Sequence, residues 1–152
     1  MKNYTSKVPA AQSIMNIERE LVSIGANRIV KDYDEHSKVN SIAFVYHDPS
    51  SGEVMSFQLP ANVYSTWQVM SKEKSTSTKA ANKKMMDQAE RTAWKNVHDW
   101  VRAQVVLIQL RQVEFMQVFL PFALVNIDHG TTVYDVLKGR ELSNLLNPPT
   151  CG

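Results

Sequence analysis

One cysteine, Cys151, stands beside the C-terminal residue of the 152-residue chain. A single thiol makes no internal disulfide, and the tail NPPTCG reads as a mobile end rather than the ordered, electropositive pocket that a reactive thiolate needs. This cysteine usage fits a reducing cytoplasm. Glycine is scarce as well: there are five, none in a Gly-rich motif, so no phosphate-cradling loop is expected. Long apolar runs are missing. Val105 to Ile108 is four residues long, far short of the ~20 that span a bilayer, and MKNYTSK lacks the apolar core of a signal peptide. A membrane partner is therefore not expected. The four histidines, His36, His47, His98 and His129, are scattered, and no pair has metal-ligand spacing on one element. No metal or other cofactor is expected.

The net charge of +2 conceals an uneven distribution. Residues 1–60 carry six Lys/Arg against seven Asp/Glu, and residues 103–152 carry three against four. Residues 71–102 carry eight against four, which places the whole excess in one loop and one half-helix.

The stretch from Lys79 to Phe119 has no Gly or Pro and is rich in good helix formers. At 100° per residue, Met86, Ala89, Ala93, Val97, Trp100, Gln104 and Leu107 share one face. Lys84, Arg91, Lys95 and Arg102 fall opposite, a basic spine about 27 Å long at 1.5 Å per residue. Spacing i,i+4 allows Asp87 to neutralise Arg91 in part. This wheel puts Trp100 in the core and Trp94 at an edge or interface. From Ala103 to Leu110 the back face turns apolar, so Val105, Val106 and Leu110 are candidate oligomer contacts. There is room for a break between Gln109 and Val113.

Upstream, Pro9 to Ser23 reads as a helix with Ala11, Ile14, Met15, Glu18, Leu21 and Val22 along one face. Thr5 or Ser6 would cap it, and Gly25 would end it. Three β-type runs follow: Arg28 to Tyr33, Val39 to His47 and Val54 to Leu59. The short turns DEHSK and DPSSGE between them indicate an antiparallel meander. Pro60 introduces a helix from Ala61 to about Met70. Residues 71–78, SKEKSTST, read as a flexible loop. After Pro121, Ala123 to Ile127 reads as a short strand or a buried turn. Thr132 and Asp135 are spaced as a capping box for a last helix that Gly139 could close.

Chemistry-bearing constellations are few. Asp32, Asp34 and Glu35 near Lys38 suggest a solvated turn rather than a nuclease site, since no Glu-x-Lys pair follows on a strand. Asp128-His129-Gly130-Thr131-Thr132 is a loop before a helix N-terminus where an anion could bind, but a backbone angle at the glycine and a cap at Thr132 explain it better. The remaining signal is the basic spine. Lys79 and Lys83 extend it at the loop junction, and a line of cations on a rigid rod suits a polyanion.

The run Gln88-Ala89-Glu90-Arg91-Thr92-Ala93-Trp94-Lys95, followed by Asp99-Trp100 and Ala103-Gln104, resembles a family of small bacteriophage and prophage proteins without an assigned activity. Gly25-Ala26, Phe57-Gln58-Leu59-Pro60, Phe119-Leu120-Pro121 and Gly130-Thr131-Thr132-Val133-Tyr134 extend the resemblance over most of residues 10–140. It implies expression inside an infected or lysogenic bacterial cell.

The expectation is an α+β fold of one domain, a three-stranded antiparallel meander packed against helices with the long helix as its spine. Its parts are a helix-meander-helix unit (8–70), the loop (71–78), the long helix (79–118), a C-terminal cap (119–146) and a tail (147–152). The expected function is non-enzymatic nucleic-acid binding through Lys79, Lys83, Lys84, Arg91, Lys95 and Arg102. The other reading is an interaction protein that inhibits a host defence protein or sequesters a signalling nucleotide. A homo-oligomer is expected on either reading.

Overall fold

The computed structural model describes residues 3–73 and 79–147. It is an α+β fold in which helices cover one face of a three-stranded antiparallel sheet. Helix α1 (Ala10–Ser23) leads into β1 (Ala26–Tyr33), β2 (Val39–His47) and β3 (Val54–Pro60), in spatial order β1-β2-β3. Then come α2 (Val63–Glu73), the long α3 (Lys79–Gln109) and α4 (Phe115–Phe119). A 3-10 turn (Leu120–Phe122) precedes the small hairpin of β4 (Leu124–Asn126) and β5 (Thr131–Thr132). Helix α5 (Val133–Val136) continues through a wide turn (Leu137–Glu141) into α6 (Leu142–Leu146).

The meander follows from alternation. Ile42, Phe44 and Tyr46 of β2 point into the core with Phe57 and Leu59 of β3, while the odd-numbered β2 residues point away. Phe44 stacks on Phe57 with ring centroids 5.2 Å apart, and Phe119 meets Phe44 edge-on at 5.6 Å. Phe115 stacks on Tyr46 at 3.7 Å, which pins α4 to the sheet. Gly25, at φ +114°, turns the chain from α1 into β1; a Cβ there would lie 3.3 Å from the Tyr46 ring.

Several expectations about the helices need correction. No side chain caps α1: its N-cap is Pro9, and the Ser6 hydroxyl accepts from the Val8 N–H at 3.3 Å instead. Its buried face is Ala10, Ser13, Ile14, Ile17 and Leu21, which leaves Ala11, Met15 and Val22 outside. Helix α3 does break after Gln109, where Arg111 adopts a positive φ of 58°. It buries two stripes rather than one. Met85, Ala89 and Thr92 form the first, and Trp94, His98, Val101 and Val105 form the second, about 180° away at 100° per residue. The first stripe meets α2 and the N-terminal segment through Met70, Trp67 and Tyr4; the second joins the main core of α1 and the sheet. A wheel drawn for one partner averages these two directions and misplaces both tryptophans. Trp94 is fully buried, whereas Trp100 lies at the rim, edge-on to Phe119 and Phe122.

Gly139 closes nothing, because helical winding passes through it into α6. The expected flexible loop is outside the described residues except for residues 71–73, which end α2; of the tail, 148–152 are likewise outside. Among the described residues no helix is long and apolar enough to cross a membrane.

Candidate anion-binding cleft

The basic spine does not survive as one line. Lys95 donates to Asp99 at 2.8 Å, one turn on, so its charge is largely met within the helix. Asp87 does not pair with Arg91. Its carboxylate, with that of Glu90, holds Lys38 of the β1–β2 turn at 3.3 and 2.7 Å. The bond to Glu90 raises the Lys38 pKa, partly offset by burial. Asp34 in the same turn accepts from the backbone N–H groups of Lys38 and His36, which hold its carboxyl below the usual range. Asp34 and Glu35 thus belong to a turn tied to α3 through Lys38, whereas Asp32 lies on β1 and accepts from the Ser41 hydroxyl at 3.0 Å. Among the described residues, no group of His, Cys, Asp or Glu side chains has the arrangement to hold a metal ion.

Arg91 is held from two sides. Its Nε donates to the Ser6 carbonyl at 3.3 Å, and its Nη2 donates to Gln88 Oε1 at 2.7 Å. Gln88 Nε2 in turn donates to the same Ser6 carbonyl at 3.0 Å. These bonds exist because residues 3–8 fold back along α3. The Asn3 side-chain amide donates to Asn96 and Asp99, both at 2.8 Å. The fold-back places Lys7 beside Arg91, a juxtaposition absent from the local sequence pattern. Lys7 and Tyr4 are the residues that sequence reasoning missed, since an irregular segment carries no periodicity to announce a partner more than 80 positions away.

Two clefts flank this junction. One, of about 430 Å³, contains Lys7 and Arg91 but also Lys38, Asp87 and Glu90, so its charges offset one another. The other, of about 490 Å³, lies between the N-terminal segment, α2 and α3. Among the described residues its charged side chains are Lys7, Lys84 and Arg91, all cations, over an apolar wall that includes Met70, Met85 and Tyr4. The second cleft is the better receptor for an anion. A guanidinium already oriented by two acceptors loses little freedom on binding, and its remaining N–H groups can fork onto a phosphate.

The remaining expected contacts divide plainly. Lys79 and Lys83 are exposed on the first turns of α3 but, at about 100° per residue, point away from the face of Lys84 and Arg91, and Lys84 lines the cleft itself; Arg102 is exposed about two turns beyond Lys95. Of the expected oligomer contacts, Val105 is 1% exposed inside its own core, so it is not an interface residue. The main core encloses that side of the helix, which an all-round apolar pattern could not disclose. Val106 and Leu110 are outside, 45% and 66% exposed.

In the loop before α5, Gly130 takes a positive φ of 62°, and Thr132 and Asp135 form both halves of a capping box. The Asp135 carboxyl is held low by the backbone N–H and hydroxyl of Thr132. That accounts for the segment 128–132 without a ligand. Compared with family models, curated proteins and solved structures, the chain matches none of them.

Proposed function

We propose that the protein is a non-enzymatic nucleic-acid-binding accessory protein of the kind that small bacteriophage and prophage genes supply. The reading rests on the cleft in which Lys7, Lys84 and a pre-oriented Arg91 converge with no carboxylate among the described lining residues. Three cations lining one cleft suit a backbone whose phosphates recur every few ångströms. Tyr64 and Trp67 on α2 stack at 5.6 Å, and Trp67 packs against Met70 and Met85 in the wall of the cleft. Aromatic side chains of this kind are the platforms on which single strands stack their bases. Fluorescence anisotropy with single- and double-stranded DNA and RNA at two salt concentrations tests the reading. Binding that weakens as salt rises supports it; no binding at about 100 μM, the weak end of non-specific affinity, removes it.

The cleft favours one other ligand. Its volume and its apolar wall next to three cations suit a nucleotide, with phosphates on the cations and the base against Tyr4 and the methionines. On that reading the protein sequesters a nucleotide signal, and titration calorimetry with mono- and dinucleotides would give saturable one-to-one binding that displaces any oligonucleotide.

A further inference from the structure

Strand β1 is an edge of the sheet, and its open side can be identified residue by residue. The Ala61 N–H donates to the Asn40 carbonyl and the Asp48 N–H to the Glu53 carbonyl, so the even-numbered residues of β2 bond towards β3. The odd-numbered ones therefore bond towards β1. Their partners there are Arg28 (opposite Val45), Val30 (opposite Ala43) and Asp32 (opposite Ser41), over an unbroken register from 28 to 32. Ile29 and Lys31, between them, point their N–H and C=O groups out of the sheet. Neither is bonded to another backbone group at that edge among the described residues.

We infer that this edge pairs with the same edge of a second copy, antiparallel about a two-fold axis at Val30, giving one six-stranded sheet. The sequence of the strand is complementary to itself in that register. Residue i meets residue 60 − i, so Val30 meets Val30, and Arg28 of each copy meets Asp32 of the other. These three side chains share the face away from the core and are exposed, Val30 at 43%. Ile29 and Lys31 become the hydrogen-bonded pair, while Arg28 and Asp32 fall at the close, non-hydrogen-bonded spacing of about 4.5 Å between Cα atoms.

The helix layer provides a second observation. Glu18 of α1 accepts from Lys31 at 2.8 Å, so the Glu18 side of that helix faces the open edge. On that side lie Ala11, Met15 and Val22, an apolar stripe that the protomer leaves outside, with Met15 at 38% and Val22 at 56% exposure. The two-fold axis would bring two such stripes together across the seam. Inward-facing lysines often guard an edge against pairing, but Lys31 is turned onto its own Glu18, where it leaves the seam clear. At the far side of the sheet, β3 already bridges to Ala123, which favours closure at two copies over growth of a fibre. This dimer does not rest on the anion-binding reading.

Sedimentation equilibrium on the full chain tests the inference. Wild type is expected at twice 17.2 kDa. Arg28→Asp and Asp32→Arg, each checked for folding by circular dichroism, should each weaken the dimer at least ~10-fold by opposing like charges. The double exchange should restore it. If a reversal disturbs the fold, Val30→Lys places two ammonium groups face to face from the solvent side and should have the same effect. Hydrogen exchange on wild type needs no variant: the Ile29 and Lys31 amides should become protected as concentration rises. A monomer at about 100 μM, a dimer indifferent to the reversals, a double exchange that stays dissociated, or concentration-independent exchange at both amides would each overturn it. So would dissociation by Val106→Glu in place of Arg28→Asp.

Discussion

The hydroxyl of Thr92 donates to the main-chain carbonyl of Asn3 at 2.9 Å, across 89 positions of sequence. Thr92 is fully buried, and its oxygen also accepts from Gln88 Nε2 at 3.3 Å. This one side chain joins the fold-back segment to the residue that orients Arg91. Thr92→Val keeps the shape and removes both bonds. It should cost roughly 1–3 kcal/mol, since a carbonyl and an amide are left without their partner, and Thr92→Ser should recover most of that. Urea unfolding measures the cost. Anion affinity should fall with it, because Lys7 and Arg91 lose their common support.

The two tryptophans of α3 should respond in opposite order to the one the helical wheel suggests. Trp94→Ala opens a cavity in the main core and should cost on the order of 3–5 kcal/mol. Trp100→Ala removes only rim contacts with Phe119 and Phe122 and should cost well under half as much. Equal costs, measured by denaturant midpoint at unchanged slope, would contradict the packing described above.

Among the basic residues, the test lies in contrast. Arg91→Gln and Lys84→Gln should each weaken binding to nucleic acid several-fold, whereas Lys95→Gln should change it little because Asp99 already holds that ammonium. With about three phosphates engaged, the log–log salt slope should be roughly −2 to −3. A Lys95 effect equal to that of Arg91 would restore the continuous spine and discard the cleft.

His98 sets a pH dependence. Burial lowers its pKa, with the Lys95 ammonium adding to the shift and Asp99 and Glu20 opposing it. The folded protein therefore binds this proton less readily than the unfolded chain does. Stability is fully present above the ordinary histidine value of about 6.5 and is lost as pH falls through the folded pKa. The imidazole resonances should titrate below about 6.5 in the folded state, and the urea midpoint should drop as pH falls below that value. His98→Gln should flatten that part of the profile.

The meander was legible because period-two alternation needs no knowledge of the partner: the Ile42, Phe44, Tyr46 row faces the core whatever covers it. Helix positions were legible for a similar reason, since propensity and the glycine at residue 25 are local. Helix faces were not. Both α1 and α3 are wrapped by more than one neighbour, and their burial follows those neighbours rather than a single apolar stripe. In the candidate site, Lys84 and Arg91 could be read from spacing. Lys7 could not, because its place depends on bonds from Asn3 and Ser6 to a helix some 90 residues later. The Lys95–Asp99 pair had a readable i,i+4 signal, obscured by the more obvious Asp87–Arg91 spacing.

The N-terminal strap also has a history in time. Asn3 is bonded to residues 92, 96 and 99, so its bonding partners do not exist until some 90 further residues have been made. At 5–20 residues per second, the segment waits about 5–20 s after its own synthesis for α3 to be made. Residues 3–8 are thus made well before α3 and find their place only after it. The cleft that they complete is assembled only as α1 and α3 dock.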